Sequence, residues 1–325
     1  MSQPKVFVTR VIPDAGLDLL RPHVELDIWP DELPPDYETL RARSAAVDGL
    51  LCLLSDRIDA ALIEGSPRLK VISTMAVGFD NIDVQAATAR GIPIGHTPGA
   101  LTEATADFAF ALLMAAARRV TEAERYVRAG RWKTWGPMLL MGQDVYGATL
   151  GIIGLGRIGQ AVARRARGFD MRVIYFGGSD EGAARAIGAE RRSFEDVLAE
   201  SDFLSLHCPL TPETRGLINA DALRRMKPTS ILINTARGAV VDHAALYQAL
   251  RDGWIAGAAL DVTDPEPIPL DSPLLALDNC IIAPHIASST ERTRARIARM
   301  AAENLLAGLR GERLPYCANP AVYGR

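Results

Sequence analysis

The chain has 325 residues, 48% of them hydrophobic and 23% charged, and a formal net charge of −3. The length favours two domains, and this composition is typical of a globular protein with enough apolar mass for two cores. The small net charge gives no electrostatic reason to expect a nucleic acid or an anionic membrane as a partner.

Cysteine usage and apolar runs restrict the cellular setting. The four cysteines lie far apart, without a CxxC pair, so we expect neither a disulfide framework nor a zinc site. The N-terminus lacks the apolar core of a signal peptide, and no apolar run reaches membrane-spanning length. We therefore expect a cytoplasmic protein without a bound metal.

In the first hundred residues, short β-rich runs alternate with helical patterns. Strands are predicted at Val6–Thr9, Glu25–Ile28, Gly49–Leu54, Val71–Met75 and Ile92–Gly95. Helices are predicted at Ala15–Leu20, Tyr37–Ser44, Ala60–Gly65 and Val84–Arg90. Such alternation is typical of a parallel α/β sheet, so residues 1–99 are predicted to form a small flavodoxin-like domain.

A long helix and an irregular segment come next. The helix is predicted at about Glu103 to Arg119, and its alanine- and leucine-rich face indicates burial between layers. The segment from Arg131 to Tyr146 contains Trp132, Trp135 and other apolar residues that look exposed. We expect this segment to contact a second subunit of a homodimer, with Trp132 or Trp135 near the partner's substrate pocket.

The alternation then restarts and runs nearly to the end. Strands are predicted at Thr149–Ile153, Arg172–Phe176, Phe203–His207, Ser230–Asn234, Ile255–Asp261 and Cys280–Ala283. Helices are predicted at Ile158–Gly168, Ala220–Met226 and His243–Arg251. Six strands with crossover helices predict a doubly wound, or Rossmann, dinucleotide-binding domain at residues 100–287. A last helix, at about Thr290 to Gly308, is expected to return to the first domain, so that residues 288–325 make that domain discontinuous.

A glycine-rich turn joins the first two strands of the predicted Rossmann domain. Its six residues are Gly154, Leu155, Gly156, Arg157, Ile158 and Gly159. The GxGxxG pattern alone is weak, but here it follows an apolar strand, opens an amphipathic helix and leads to a second strand. In that setting the glycines allow a tight turn, close approach of a pyrophosphate and close helix–strand packing. This predicts a nicotinamide dinucleotide site.

The end of the second strand normally distinguishes NAD from NADP. An acidic residue at that tip would bind the adenosine ribose hydroxyls and repel a 2′-phosphate. Here the strand is followed by Gly177 and Gly178, so the tip has no acidic residue. Ser179 comes next, and Asp180 lies a few residues beyond the tip. Gly178 and Ser179 are candidate cofactor contacts. The tip also lacks an arginine that would favour NADPH. The sequence leaves the choice between NADH and NADPH open.

Three ionisable residues follow strands at the edge where ligands bind in this architecture. Arg237 follows the strand ending at Asn234, Glu266 lies in DVTDPEP, and His285 follows the last strand. A 2-oxo acid reductase needs a cation for the substrate carboxylate, an imidazolium that donates a proton, and a carboxylate beside the imidazole. From the residues alone the triad stays a hypothesis, because His207 also ends a strand.

With these motifs the chain resembles the D-2-hydroxyacid dehydrogenase family over nearly its whole length. The motifs are VGFDNID at 77–83, GIIGLGRIG at 151–159, HCPLTPET at 207–214, ILINTARGAVVD at 231–242, DVTDPEP at 261–267 and PHIASST at 284–290. Within the family it is most similar to the glyoxylate/hydroxypyruvate reductases. That similarity rests on LLSDRID at 53–59, WKTWGPMLLMG at 132–142 and NLLAGLRGE at 304–312.

The resemblance implies roles for individual residues. His285 would be the general acid/base, Glu266 its paired carboxylate, and Arg237 the anchor of the substrate's carboxylate and C2 oxygen. Further substrate contacts would be Leu53, Ser288 and the backbone N–H groups of Val77 and Gly78. The cofactor cleft would be lined by Thr105, His207, Cys208, Pro209, Thr214, Thr235, Ala236, Arg237, His285 and Ala287, with Asp261 at the nicotinamide carboxamide. Ala287 departs from the family, which often has glycine there.

The resemblance implies that the protein reduces a small 2-oxo acid, glyoxylate or hydroxypyruvate, to the D-2-hydroxy acid with NADPH or NADH. A short phosphoglycerate dehydrogenase or a phosphite dehydrogenase is an alternative, although Val77 stands where the latter would carry lysine. Formate dehydrogenases pair their histidine with glutamine, so Glu266 argues against them. A non-enzymatic NAD(H)-sensing corepressor-type scaffold is the alternative from another class.

Overall fold

A computed structural model describes residues 3–178 and 181–324. Residues up to Leu101, together with those from Ser289 onward, form one compact unit, and Thr102–Ser288 form the other. We call these the first and the second unit, and each is described by itself. No helix in the described ranges is both long and apolar enough to cross a membrane.

The first unit contains a five-stranded parallel sheet. Its strands are β1 (Lys5–Val8), β2 (Glu25–Ile28), β3 (Gly49–Cys52), β4 (Val71–Thr74) and β5 (Ile94–Gly95), and its first helices are α1 (Asp14–Leu20), α2 (Tyr37–Ala45), α3 (Ala60–Glu64) and α4 (Val84–Ala89). The strand order is β2-β1-β3-β4-β5, which is the flavodoxin-like order. Every predicted strand and helix of this segment is present, with ends that differ by at most two residues.

Aspartate caps determine where three of these helices begin. The side chains of Asp36, Asp59 and Asp83 each accept a hydrogen bond from the backbone N–H three residues later, at 2.7, 3.0 and 2.9 Å. An N-cap of this kind satisfies an N–H group that has no partner within the helix. The central strands β3 and β4 are completely buried, as expected for strands with helices on both faces.

The second unit contains a seven-stranded parallel sheet. Its strands are β6 (Thr149–Ile153), β7 (Arg172–Phe176), β8 (Glu190–Arg191), β9 (Phe203–Leu206), β10 (Ile231–Asn234), β11 (Gly257–Leu260) and β12 (Cys280–Ile282). The order β12-β11-β10-β9-β6-β7-β8 is the doubly wound Rossmann order with one strand added. The predicted fold class is confirmed. The short strand β8, the third of this sheet in chain order, was not predicted because its two exposed charged residues give no apolar alternation.

The described residues of this unit form seven helices around the sheet. They are α5 (Thr102–Ala117), α6 (Val120–Arg128), α7 (Arg157–Ala166), α8 (Glu181–Ala186), α9 (Phe194–Glu200), α10 (Ala220–Arg225) and α11 (His243–Arg251). Short 3-10 turns occur in both units at Arg167–Phe169, Gly238–Val240, Pro273–Ala276 and Pro320–Tyr323. Helices α6, α8 and α9 were not predicted from the sequence. The segment predicted to be irregular, residues 131–146, does lack helix and strand.

The last helix, α12 (Glu291–Leu309), packs on the sheet of the first unit and on α1. Ser73 in β4 donates a hydrogen bond to the carbonyl of Ala301 at 2.8 Å. A Cβ atom on Gly16 would lie 2.8 Å from the Ala298 carbonyl oxygen, so glycine permits the close contact between α1 and α12. The returning helix therefore makes this flavodoxin-like unit discontinuous in sequence, as predicted.

Candidate active site

The three glycines of the GxGxxG turn have different surroundings. Gly154 has a φ of 94°, and a Cβ atom there would lie 2.7 Å from the backbone N of Cys208. A Cβ atom on Gly159 would lie 2.4 Å from the carbonyl oxygen of Gly154. A Cβ atom on Gly156, at the start of α7, would instead have no neighbouring atom within 4 Å. The first and third glycines thus serve the turn and its packing, while the second leaves room for a ligand at the N-terminus of α7.

Two buried polar atoms at neighbouring strand ends fit a bound dinucleotide. Nδ1 of His207, just after β9, and Oγ1 of Thr235, just after β10, have no hydrogen-bond partner among the described residues. Nε2 of His207 bonds to Ser205 Oγ at 2.8 Å, and burial lowers the pKa of His207 to about 4. A ligand rich in hydroxyl and amide groups would satisfy both atoms, as the sequence-based assignment of His207 and Thr235 to the cofactor cleft requires.

The tip of β7 packs directly on the glycine turn. The N–H of Gly154 donates to the Phe176 carbonyl at 2.8 Å, and that of Leu155 donates to the Gly177 carbonyl at 2.9 Å. Gly178 has a φ of 116°, and a Cβ atom there would lie 3.2 Å from the backbone of Leu155. Glycine at this tip therefore has a packing reason as well as a conformational one. Ser179 and Asp180 lie outside the described residues.

The proposed catalytic residues follow three adjacent strands. β10 pairs with β11 and β11 pairs with β12, and Arg237, Glu266 and His285 follow these strands in that order. A Cβ atom on Gly238 would lie 2.0 Å from the carbonyl oxygen of Thr263, so the loop after β10 lies directly against the loop after β11. The structure therefore brings the three loops to one edge of the second unit's sheet.

His285 and Glu266 form a hydrogen-bonded pair. Nδ1 of His285 lies 3.0 and 3.1 Å from the two carboxylate oxygens of Glu266. Because an ionised carboxylate only accepts hydrogen bonds, Nδ1 carries the hydrogen and Nε2 is left to act on a substrate. The side chains are 25% and 35% exposed, so a small molecule has access to the pair. This is the arrangement of an oriented general acid/base.

Asp261 holds the backbone at His285 and at the two residues that follow it. Its buried carboxylate accepts hydrogen bonds from the N–H groups of Ile286 at 2.8 Å and Ala287 at 2.7 Å. The N–H of His285 donates to the Asp261 carbonyl at 2.9 Å, and His285 has a φ of 55°. Burial raises the pKa of Asp261. The sequence did not predict this supporting role, and the contact of Asp261 with a nicotinamide carboxamide stays a prediction.

The loop that carries Arg237 is fixed by Asn234. The Asn234 side chain donates to the Arg237 carbonyl at 2.9 Å and accepts from the Ala236 N–H at 3.0 Å. Nη1 of Arg237 donates to the Ala236 carbonyl at 2.9 Å. Asn234 is completely buried at the end of β10. Its carboxamide provides hydrogen-bond partners for the loop backbone after the strand, where the hydrogen bonds between strands end. Asn234 is a second supporting residue that the sequence analysis did not identify.

The other predicted contacts lie in several loops and one helix. In the second unit, Thr105 is buried in α5, and Thr214 closes the loop from Cys208 by donating to the Pro209 carbonyl at 2.7 Å. Ser288 follows Ala287 in the turn after His285. In the first unit, Leu53 follows β3, and Val77 and Gly78 follow β4. Their roles in binding substrate or cofactor stay predictions.

Comparison with known proteins identifies the family. Residues 110–287 match the model of the D-isomer specific 2-hydroxyacid dehydrogenase NAD-binding domain. The chain is 56% identical to a glyoxylate reductase of Korarchaeum cryptofilum, across 98% of this chain and 97% of that protein. This chain belongs to the D-isomer specific 2-hydroxyacid dehydrogenases.

Solved structures of similar proteins agree with this family assignment. A protein of Thermus thermophilus superposes with a TM-score of 0.91 at 48% identity, covering 97% of this chain and 99% of that one. The NADPH-dependent glyoxylate/hydroxypyruvate reductase of Sinorhizobium meliloti, in complex with NADP and malonate, has a TM-score of 0.87 at 33% identity, with 99% and 98% coverage. As a member of this family, the chain is an NAD(P)-dependent oxidoreductase that acts on 2-oxo and 2-hydroxy acids.

Proposed function

We propose that this dehydrogenase reduces glyoxylate, and hydroxypyruvate as a related substrate, with NADPH or NADH. The observation that carries the proposal is the His285–Glu266 pair, held at 3.0 Å and accessible to a small molecule at the carboxyl edge of the sheet. The similarity to proteins named glyoxylate reductase, at 48–56% identity over the full chain, supports glyoxylate as the substrate.

In the proposed mechanism His285 delivers the proton. The reduced nicotinamide supplies the hydride when it is bound. As the C2 oxygen of the substrate gains negative charge, protonated His285 donates from Nε2 to that oxygen. Glu266 accepts the Nδ1 hydrogen, keeps the ring oriented and stabilises the imidazolium before transfer. In the oxidative direction the same Nε2 accepts the hydroxyl proton.

Further groups are proposed to bind the substrate. The Arg237 guanidinium binds the substrate carboxylate and polarises the C2 oxygen, as a planar cation suits both. The backbone N–H groups of Val77 and Gly78 bind the carboxylate, and Leu53 and Ser288 line the substrate's surroundings. We accordingly propose that the first unit is the substrate-binding domain and that the second, cut at about residues 100 and 287, is the cofactor domain.

A steady-state matrix tests the proposal. Glyoxylate, hydroxypyruvate and pyruvate are each assayed with NADH and with NADPH, and nicotinamide binding is measured separately by fluorescence. We expect glyoxylate to give the highest kcat/KM. Bound NADPH without reduction of any 2-oxo acid would reject the proposal and favour the sensing scaffold. Activity confined to 3-phosphoglycerate or phosphite oxidation would favour those alternative dehydrogenases instead.

We also propose a homodimer formed through the second unit, in the cytoplasm. Helix α6 contains no buried residue, and the adjoining segment exposes Trp132, Trp135 and Met138 by 59, 78 and 71%. Large exposed apolar side chains of this kind are typical of a subunit contact. Sedimentation equilibrium should show a dimer, and an active monomer would reject this proposal.

A further inference from the structure

In the first unit a hydrogen-bonded cluster joins the two turns that carry the proposed substrate contacts. The turn after β3 contains Leu53, and the turn after β4 contains Val77 and Gly78. Asp56 belongs to the first of these turns and Asn81 to the second, and the roles proposed above use neither residue. We call Asn81, Asp56 and Thr9 the turn clamp.

Asn81 connects the two turns through its carboxamide. Its Nδ2 donates to the Leu53 carbonyl at 3.0 Å and to the Asp56 carbonyl at 2.7 Å, so both hydrogens of the amide are used. The Asn81 carbonyl in turn accepts the Ile58 N–H at 3.0 Å. One residue of the second turn is therefore bonded to the first turn at three points.

Asp56 fixes the first turn from within. The residue is 3% exposed, and its Oδ2 accepts both the Leu53 N–H at 2.7 Å and the Thr9 hydroxyl. The Asp56 N–H donates back to the Leu53 carbonyl at 3.2 Å. A buried carboxylate needs such donors, because burial without them would carry a large desolvation penalty. The side chain thus holds Leu53 by its N–H, while the backbone of the same residue holds the Leu53 carbonyl.

The second turn is held at its other end by His96. The Val77 carbonyl lies 3.0 Å from His96 Nδ1, which must donate because a carbonyl only accepts. The His96 ring also contacts Phe79 edge-on, with ring centroids 5.4 Å apart. The Val77–Gly78 backbone is therefore anchored on the His96 side and on the Asn81 side.

We propose that Asn81 and Asp56 are positioning residues for the substrate carboxylate. They lock the Leu53 turn against the Val77–Gly78 turn, so that the two backbone N–H groups are oriented before substrate arrives. Preorganised donors of this kind bind an anion without reorganising at the moment of binding. The inference rests on the proposed function, because it concerns how glyoxylate would be held.

The test compares Asn81→Ala with Asn279→Ala as a matched control. The Asn279 side chain also donates to two carbonyls, those of Leu250 at 3.3 Å and Ala256 at 3.2 Å, but in the second unit at the amino end of β12. We expect Asn81→Ala to raise the KM for glyoxylate about tenfold or more, with a smaller change in kcat and an unchanged Kd for NADPH. Asn279→Ala should leave all three constants within about twofold of the unsubstituted enzyme.

Asp56 supplies a test by conservative replacement. Asp56→Asn keeps an oxygen that accepts from Leu53 and Thr9, and it places the amide nitrogen where Oδ1 has no partner among the described residues. Asp56→Asn should therefore keep the KM closer to the unsubstituted value than Asp56→Ala, which should raise it about tenfold. Equal KM values for these two variants would contradict the inference.

Failure of the inference is distinguishable from failure of the proposed function. If the unsubstituted enzyme binds NADPH but does not reduce glyoxylate, the proposed function is wrong and the inference falls with it. If the enzyme is active and folded Asn81→Ala keeps its KM within about twofold, only the inference is wrong. Should Asn81→Ala not fold, Asn81→Ser replaces it, since a serine hydroxyl cannot reach both carbonyls, and the same limit on KM applies.

Discussion

The two units place different chemistry on the same kind of sheet edge. At the carboxyl edge of the second unit stand ionisable side chains, with His285 and Glu266 paired at 3.0 Å. At the carboxyl edge of the first unit the proposed contacts are backbone N–H groups, and the polar side chains of Asn81 and Asp56 are used to hold turns. Both sheets are parallel and both edges are formed by loops. The fold therefore does not decide which edge performs proton transfer; the loop residues do.

This difference predicts a division of kinetic effects. Changes at the edge of the second unit should act mainly on kcat, because a proton donor acts in the transition state. Changes in the turn clamp should act mainly on KM, because it prepares a site that binds substrate before and during the reaction. Substitutions that violate this division would show where the comparison is too simple.

The largest expected effect is that of His285→Ala. Loss of the proton donor should lower kcat for glyoxylate reduction by about 10³-fold, within the roughly 10²- to 10⁴-fold range of general acid catalysis. The Kd for NADPH should remain within about threefold if the cofactor site stays folded. His243→Ala is a suitable control, because His243 starts α11 and bonds to the Asp264 carbonyl at 3.0 Å. A His285→Ala enzyme with near-full activity would show that His285 is not the proton donor.

Arg237→Lys should depart from this simple division, since Arg237 is proposed both to bind and to polarise the substrate. Lysine keeps the positive charge but cannot form two parallel hydrogen bonds with a carboxylate. We expect kcat/KM for glyoxylate to fall about 10²-fold, with contributions from both constants. An effect on KM alone would assign Arg237 to binding only, like the turns of the first unit.

Two glycines of one motif sharpen the comparison within the second unit. Gly156→Val should leave the melting temperature nearly unchanged, because a Cβ atom there would have no neighbour within 4 Å, but it should weaken NADPH binding by at least about tenfold. Gly159→Ala should instead lower the melting temperature, since its Cβ would lie 2.4 Å from the Gly154 carbonyl oxygen. Thermal unfolding with and without NADPH separates the two effects, and reversed results would contradict both assignments.

Glu266→Gln should have a smaller effect than loss of His285. The amide can still accept a hydrogen bond from Nδ1, but it lacks the charge that stabilises the imidazolium. A hydrogen bond to a charged group contributes about 1.5–3 kcal/mol, so kcat should fall about 10- to 100-fold. The KM for glyoxylate should change little. A KM increase without a kcat decrease would place Glu266 in substrate binding instead.

Much of the fold was predictable because its signals are local. Apolar runs and aspartate caps specify the first unit, where β2 occupies the predicted range Glu25–Ile28. The helix α6 was not predicted, since no residue in it is buried and its ends lack strong caps. The turn clamp was not predicted either. Asn81 bonds to carbonyls 25 and 28 residues away, and no sequence pattern shows which turns the sheet brings together.

The site was predictable at the level of residue types and less so at the level of support. The sequence placed Arg237, Glu266 and His285 after three strands, and the parallel pairing of β10, β11 and β12 brings those ends to one edge. It did not show that Gly238 lies directly against the Thr263 backbone, or that the Asp261 carboxylate binds two N–H groups after the histidine. Those contacts depend on loop paths that only the folded chain defines.

The smallest expected effect concerns His207, which follows a strand of the second unit without belonging to the catalytic pair. Its pKa is lowered to about 4 by burial, whereas an unfolded histidine has a pKa of about 6.5. Between these values the unfolded chain binds a proton that the folded chain does not. The free energy of unfolding is therefore unaffected by His207 above about pH 6.5, and it decreases as the pH falls towards about 4.

His207→Gln should remove this pH dependence. We expect the melting temperature to drop by a few degrees more between about pH 7 and pH 5 in the unsubstituted enzyme than in His207→Gln, with the drop for His243→Gln as the control. Identical drops in all three proteins would mean that His207 is protonated in the folded state, and its ring would then be too solvated to lie against a bound cofactor.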